Sequence, residues 1–295
     1  MVEERDWATR FADLATYALV ALLGISCLLP FLNTLAFSLS SRAAIDAGRV
    51  TFWPIGFHLE NYDHIMGRPE FVRSTSISIA RVLIGVSLEL LVCVLTAYPL
   101  SRDYLPMPGR TAFKMVLLFG MLFSGGLIPY FLIIKNLGLL NKFAVLVIPQ
   151  ALNIFHTIIV INFFRGIPRE LAEAAEMDGA SHLDILFRVY LPISTPVLAT
   201  VGLFGAVIHW NSWFDGIVYM QSQRNWPLQS YVYGTVVTGS LDMEIGWGSI
   251  SQVSNITIRG VTGAFLLFAS IPILVVYPFL QRYFITGLTL GSIKQ

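Results

Sequence analysis

The groups in this 295-residue chain that could do acid–base, nucleophilic or metal chemistry are few: five histidines, two cysteines and 18 carboxylates. His58, His64, His156, His182 and His209 are scattered, and no H-x-x-x-H, C-x-x-C or G-x-S-x-G pattern brings reactive groups together. No Gly-Lys dipeptide occurs, so the chain cannot cradle nucleotide phosphates in the P-loop manner. Cys27 and Cys93 both sit in apolar runs and read as packing residues, not as a disulfide or a metal site. What remains is recognition chemistry. Polar groups set inside apolar stretches are costly there and often functional. Arg81 and Glu89 share one such stretch, about 80° apart around a helix, so each is expected to meet a partner on another helix. Gln150, Asn153 and Thr157, with His156 beside them, make a polar stripe in a second. His209, Asn211, Ser212 and Asp215 cluster with Trp210 and Trp213 in a third. Rings beside hydrogen-bonding groups suit a sugar, which offers apolar C–H faces and many hydroxyls. Two readings fit the second stretch equally, a substrate pathway or inter-helix hydrogen bonds that hold a bundle together; the two Trp tilt the third toward the pathway.

The elements that position these groups are membrane spans. The chain is 55% hydrophobic and 13% charged, with mean hydropathy +0.69; a soluble domain carries about 25% charged residues. The net charge of +1 gives nucleic acid nothing to bind. A spanning helix needs ~20 mostly apolar residues, and six stretches qualify: 14–39, 74–100, 111–134, 144–164, 193–220 and 258–284. The first is read as an uncleaved helix, because the residues before it mix acidic with basic side chains. Pro30, Pro129, Pro149, Pro272 and Pro278 lie within or beside the spans, which suggests a packed bundle around a pathway and not six straight anchors. Ser124-Gly125-Gly126, inside the third span, is expected to let helices pack closely. The segment 222–257 is rich in Ser, Gly, Tyr and Trp, a composition for an interfacial or partner-binding loop. Its Trp226 and Trp247 singly fit an aromatic belt at the bilayer surface.

The longest polar interval that still reads as helix is 170–196, ELAEAAEMDGASHLDILFRVYLPISTP. Pro168 sits where a helix can begin. Gly179 can take positive φ and end a first helix sharply. Ser181 can cap a second, with Asp184 in capping-box position. Leu183, Leu186, Phe187 and Tyr190 form an apolar stripe on that second helix, and Pro192 is expected to stop it. Glu170, Glu173 and Glu176 offer carboxylates to basic groups on a partner, while Ala174 and Ala175 allow close approach. Two short helices joined by a tight turn form a loop stiff enough for another protein to grip.

Glu173-Ala174-Ala175, Gly179 four places on, and Val189-Tyr190-Leu191-Pro192 resemble the "EAA…G…I-x-L-P" loop of permease subunits in binding-protein-dependent ABC importers, with Val189 where Ile is usual. Trp210-Asn211 with Phe214, Pro227-Leu228-Gln229 and Leu137-Gly138-Leu139-Leu140-Asn141 extend the likeness to the smaller, six-span permease of the maltose-importer type. Residues 123–141 are similar to the branch that carries complex or acidic oligosaccharides, the second permease of alginate importers among them. The resemblance implies an all-α integral membrane protein with the type I importer permease fold and a cytoplasmic coupling helix. It implies that Glu173, Ala174, Ala175, Gly179, Leu191 and Pro192 couple to an ATPase. It implies five partners: a sister permease, an ATPase dimer, a periplasmic sugar-binding protein, an oligosaccharide substrate and the lipid bilayer around the chain. ATP and Mg would be bound by the ATPase, with no cofactor, metal or catalytic group in this chain. Asn153, His156, His209, Trp210, Asn211, Trp213 and Asp215 are the candidate substrate-pathway residues.

The expected organisation is an N-terminal span and periplasmic loop over 1–70, a permease core over 71–286 containing the coupling loop 165–192, and a cytoplasmic tail over 287–295. Thr286 and Gln295 depart from the Lys and Gly common in the family's tail. Charge alone orients the chain weakly: ten basic residues fall in inner segments and eight in outer ones if the N-terminus is inside. The coupling loop decides instead, since it must meet a cytosolic ATPase; both termini are then cytoplasmic, in a bacterial inner membrane. The competing reading is an ion-driven secondary sugar transporter. Such carriers show internal repeats and charged relays, and neither is evident here.

Overall fold

The computed structural model describes residues 7–236 and 256–292, and among them every regular element is helical. Trp247 with most of the 222–257 loop, and Gln295 in the tail, lie outside the described residues. The chain forms two compact units: Met1–Pro69 with Thr235–Ile271, and Glu70–Gly234 with Pro272–Gln295.

In the first unit, α1 (Trp7–Ser38) is followed by two short helices, α2 (Arg42–Asp46) and α3 (Glu60–Met66). Most of α1 is uncovered; only its last turn is packed, where Ala36 joins Ala44, Ile45 and Val50 in a small core. Asn61 of α3 donates to the Ser38 carbonyl at 2.9 Å, and the Tyr62 hydroxyl meets Ser38 Oγ at 2.9 Å. The last long helix closes on this corner through glycine. A Cβ at Gly260 would lie 2.5 Å from Asn61 Nδ2, and one at Gly263 would lie 2.9 Å from the Thr34 carbonyl. Small residues of this kind are how membrane helices bring backbones together when apolar burial gives no preference over lipid.

The second unit is built on α4 (Pro69–Ser101), a continuous 33-residue helix. Then come α5 (Arg110–Leu122), α6 (Leu127–Asn136), two 3-10 turns at Phe143–Leu146 and Ile148–Gln150, and α7 (Ile154–Arg165). The polar interval holds α8 (Arg169–Met177) and α9 (His182–Ile193). After it lie α10 (Thr195–Asn211), α11 (Phe214–Tyr219) and α12 (Leu228–Val236). The last helix, α13 (Ile258–Ser292), belongs to the first unit as far as Ile271 and to the second from Pro272, and runs past residue 284, where the sixth apolar stretch ends. The core of the unit joins Cys93, Val94 and Ala97 of α4 to Val160, Ile161 and Phe164 of α7, Ile185, Leu186 and Tyr190 of α9, and Val201 of α10. Cys93 is therefore a packing residue, and both cysteines are free.

Three of the six expected spans are not single helices. Among the described residues, Thr9–Ser38, Pro69–Ser101 and Ile258–Val276 are long and apolar enough to cross a membrane alone. The others qualify only as bent pairs: Arg110–Leu122 with Leu127–Asn136 at 119°, Phe143–Gln150 with Ile154–Arg165 at 44°, and His182–Ile193 with Thr195–Asn211 at 82°. The first break corrects the role expected for Ser124-Gly125-Gly126. A Cβ at Gly126 would meet nothing within 4 Å, so close packing is not its purpose. Its φ of +81° instead turns the chain out of helical register. Pro192 likewise does not stop its helix. The turn before it, Leu186–Tyr190, is a π-helix, and the chain continues helically over Leu191–Ile193. Pro192 then occupies the first turn of that last stretch, where its missing N–H is not needed. The expected stripe on α9 is also split: Leu186 and Tyr190 are buried, whereas Leu183 and Phe187 are exposed.

Candidate functional site

Two places concentrate polar chemistry, an exposed elbow and a buried pin. The elbow is the α8–α9 turn. Helix α8 opens after Pro168 and carries Arg169 and Glu173 as an i,i+4 ion pair at 2.5 Å. It ends on a Schellman motif: Gly179 N–H donates to the Glu176 carbonyl and Ala180 N–H to the Ala175 carbonyl, both at 3.0 Å, with Gly179 at φ +80°. Helix α9 then starts on the expected capping box, Ser181 Oγ accepting from Asp184 N–H and the Asp184 carboxylate accepting from Ser181 N–H, each at 3.2 Å. The Ser181 hydroxyl donating to the Asp184 carboxylate at 2.5 Å, with the Ser181 N–H bond beside it, holds that carboxyl below its ordinary range. Both sides of the turn are thus tied by backbone bonds, which makes it rigid. Ala172 is buried beneath α8 and Ala175 is half-buried, while Glu173 and Ala174 are exposed. Leu191 packs on the core and Pro192 is exposed. Met177, at 88% exposure, stands beside the elbow with the uncovered Leu183 and Phe187. These are three large apolar side chains left exposed close in sequence to a stiff polar turn.

The pin lies along α4. Arg81 and Glu89 do not pair with each other, as the helix angle required; each reaches another helix. Arg81, fully buried, binds the Asp215 carboxylate of α11 through two nitrogens, one of them 3.1 Å from Oδ1, and donates to the Ser212 carbonyl at 3.2 Å. Asp215 also accepts from Ser212 Oγ at 3.0 Å and from Gln150 Nε2 at 3.2 Å. Glu89 sits among histidines. Its Oε1 lies 2.5 Å from His156 Nδ1 of α7, and its Oε2 lies 3.8 Å from His209 Nε2 of α10. All three are buried.

Two glycines make room for this contact, reciprocally. A Cβ on Gly85 of α4 would lie 2.6 Å from His209 Nε2, and one on Gly205 of α10 would lie 2.5 Å from Glu89 Oε2. Gly85 and Glu89 are i,i+4 on one helix, as are Gly205 and His209 on the other, so each polar side chain fills the notch opposite it. Gly205→Ala is expected to destabilise the chain by about 1–3 kcal/mol, because the carboxylate it displaces is buried and held between His156 and His209. Gly202→Ala, whose Cβ would lie 3.3 Å from a Leu90 methyl, is the control and should cost less. Thermal unfolding in detergent reads both; equal losses would mean that the Glu89 notch has no special role.

The expected stripe in the fourth apolar stretch is not one helical face. Gln150 belongs to a 3-10 turn, and Asn153 is the N-cap of α7, accepting from His156 N–H at 3.2 Å. Gln150 and Asn153 instead share the wall of a cleft of about 350 Å³ with Glu89, Phe155 and Ile208. The Gln150 Oε1 is buried and without a hydrogen-bond partner. At the end of α10, Asn211 is exposed and Trp210 is buried. Trp213, 38% exposed, stacks on Tyr233 with ring centroids 4.1 Å apart. Sequence reasoning named Glu89, His156 and His209 separately but not their union. The signal that could have found it is the matched Gly-x-x-x-polar spacing on two apolar stretches.

Helices that are apolar outside, pinned by buried polar groups and bent at breaks, one of them at Gly126, mark an integral membrane protein. Residues 104–290 match the family described as "Binding-protein-dependent transport system inner membrane component", and the chain belongs to that family. It is 36% identical over 287 residues to protein LplC of Bacillus subtilis (strain 168), covering 97% of this chain and 96% of that one. It is 36% identical over 289 residues to the polygalacturonan/rhamnogalacturonan transport system permease protein YtcP of the same organism, covering 97% and 99%. In structure it resembles a chain of a bacterial ABC transporter involved in the import of the acidic polysaccharide alginate, with TM-score 0.89, 32% identity, and coverage of 95% of this chain and 98% of that one. A chain of a bacterial alginate ABC transporter in complex with alginate pentasaccharide-bound periplasmic protein shares the fold at TM-score 0.57 and 17% identity, covering 95% and 96%. The ion-driven transporter reading has no support in these relatives.

Proposed function

We propose that this chain is the permease subunit of an ATP-driven importer for oligosaccharides rich in uronic acids. It would work with a sister permease, two copies of an ATPase and a periplasmic sugar-binding protein. ATP and Mg belong to the ATPase; this chain does no catalysis. The observation that carries the reading is the elbow: a rigid Schellman turn at Gly179 with exposed Glu173, Ala174 and Met177 around it. In this reading the elbow seats on the ATPase, so both termini are cytoplasmic and the α2–α3 region is periplasmic. The segments 1–70, 71–286 and 287–295 are then the outer span with its loop, the permease core and the tail. Closure of the ATPase draws the elbow inward and tilts the helices joined to it.

The substrate class is supported by the acidic polysaccharides handled by the similar permease from Bacillus subtilis and by the alginate importer. Asn153, beside Gln150 and Glu89 at the cleft, and the exposed Asn211 and Trp213 are the residues best presented to a passing sugar. His156, His209, Trp210 and Asp215 are buried behind them and act by holding the pathway's walls. The test is ATP hydrolysis by the reconstituted importer over a panel of neutral and acidic glycans delivered by its binding protein. Uronate oligosaccharides are expected to stimulate hydrolysis and uptake. Uptake by this chain alone without ATP would sink the reading, and stimulation by neutral glycans only would sink the substrate class.

A further inference from the structure

The residue after α4 is Arg102, and its side chain is more completely enclosed than its position at a helix end would lead one to expect: it is 2% exposed. Its guanidinium is surrounded by three tyrosine rings, with Cζ 5.1 Å from the centroid of Tyr98, 4.9 Å from Tyr104 and 5.4 Å from Tyr190. Every edge of the fork is used. Nε donates to the Tyr104 hydroxyl at 2.5 Å, one terminal nitrogen to the Tyr98 hydroxyl, and the other to Glu176 Oε1 at 3.3 Å. Glu176 belongs to α8 and Tyr190 to α9, so one side chain ties the end of α4 to both arms of the elbow. The clamp is extended by its neighbours. Tyr190 meets Tyr98 and Phe164 edge-on at 5.4 and 5.2 Å, and Arg169 at the start of α8 lies 4.1 Å over the Tyr104 ring.

The location gives this joint a task. Pro99 lies inside the last turn of α4 and removes a backbone donor there, so that turn is the helix's weak point. Arg102 spans it from below. At 1.5 Å per residue, Glu89 lies about 20 Å and Arg81 about 30 Å further up the same continuous helix. A displacement of the elbow that α4 follows is thus delivered to the buried pins that hold α7, α10 and α11.

We propose that Arg102 is the positioning residue that welds the coupling elbow to α4 and so converts elbow displacement into movement of the pathway helices. The proposal rests on the coupling role given to the elbow above. Lysine cannot replace it: its three N–H donors radiate from one nitrogen, whereas the planar fork carries three separate nitrogens to three acceptors on different sides.

The experiment compares Arg102→Met, Arg102→Lys and Gly179→Pro in the complete reconstituted importer. Sugar moved per ATP hydrolysed is the main readout, with the KM for ATP and the width of the distance distribution between spin labels at positions 177 and 95. For Arg102→Met the expected result is a fall of about tenfold in sugar per ATP, with the KM for ATP within about twofold of wild type, and a broadened distribution. Arg102→Lys should restore the burial of charge but not the transport ratio. If Arg102→Met does not assemble, the double variant Tyr98→Phe/Tyr104→Phe keeps the arginine and the rings while removing two acceptors. It should lower the ratio about threefold. A wild-type ratio in whichever of these variants assembles overturns the proposal. If Gly179→Pro also keeps the ratio, the coupling role of the elbow falls with it; if only Gly179→Pro loses the ratio, the elbow stands and the weld alone is refuted.

Discussion

Asp215→Ala is expected to destabilise this protein by about 3–5 kcal/mol, the cost of leaving a buried charge without its partner. Arg81 is fully buried, so water cannot take over the role of the lost carboxylate. Two of its hydrogen bonds vanish and only the Ser212 carbonyl remains. Gln150 Nε2 loses its acceptor at the same stroke, and the Gln150 Oε1 already receives no donor. Asp215→Ala should therefore lower the unfolding temperature in detergent by at least about 6 °C. The informative companion is Arg81→Met/Asp215→Leu. Replacing both members of a buried pair with apolar residues of similar size often costs little, so the double variant should recover most of the loss. Were the double variant as unstable as Asp215→Ala, the pair's charge would not be the cause, and packing at the α4–α11 contact would be.

Gly179→Pro is expected to reduce transport about a hundredfold while leaving the chain folded in the membrane. Proline fixes φ near −65°, and Gly179 stands at +80°. It also lacks the N–H that Gly179 donates to the Glu176 carbonyl. Both defects fall on one exposed turn whose Cβ position is open, so no core contact is lost. The elbow should open without unfolding the bundle, and ATP hydrolysis should continue uncoupled from uptake. Gly179→Ala separates the two defects: it retains the N–H and faces only the left-handed backbone cost of about 1–2 kcal/mol, so it should transport at an intermediate rate. Normal uptake by Gly179→Pro would mean that the turn's geometry is not used in transport.

The residues alone determined a good deal. Composition and hydropathy require a membrane protein, because so long a run of apolar side chains has no other stable setting. The elbow was legible to single residues, since caps and turns are local: Pro168, Gly179, Ser181 and Asp184 each act within four positions of themselves. The helix angle between Arg81 and Glu89 also excluded their pairing with each other.

Only the tertiary structure decided which groups those two meet. Asp215 is 134 positions from Arg81 and His156 is 67 from Glu89, and no periodicity reports such a separation. It decided that the Gly126 turn is a hinge and that Gly85 and Gly205 are seats, since a glycine's role depends on what stands opposite it. It decided that Pro192 is carried by a π turn and that Leu183 and Phe187 stay uncovered. The physical reason is one of range. Caps, turns and helix faces are set by neighbours along the chain, while a buried charge takes its partner from whichever helix the packing brings near, and the sequence does not record that distance.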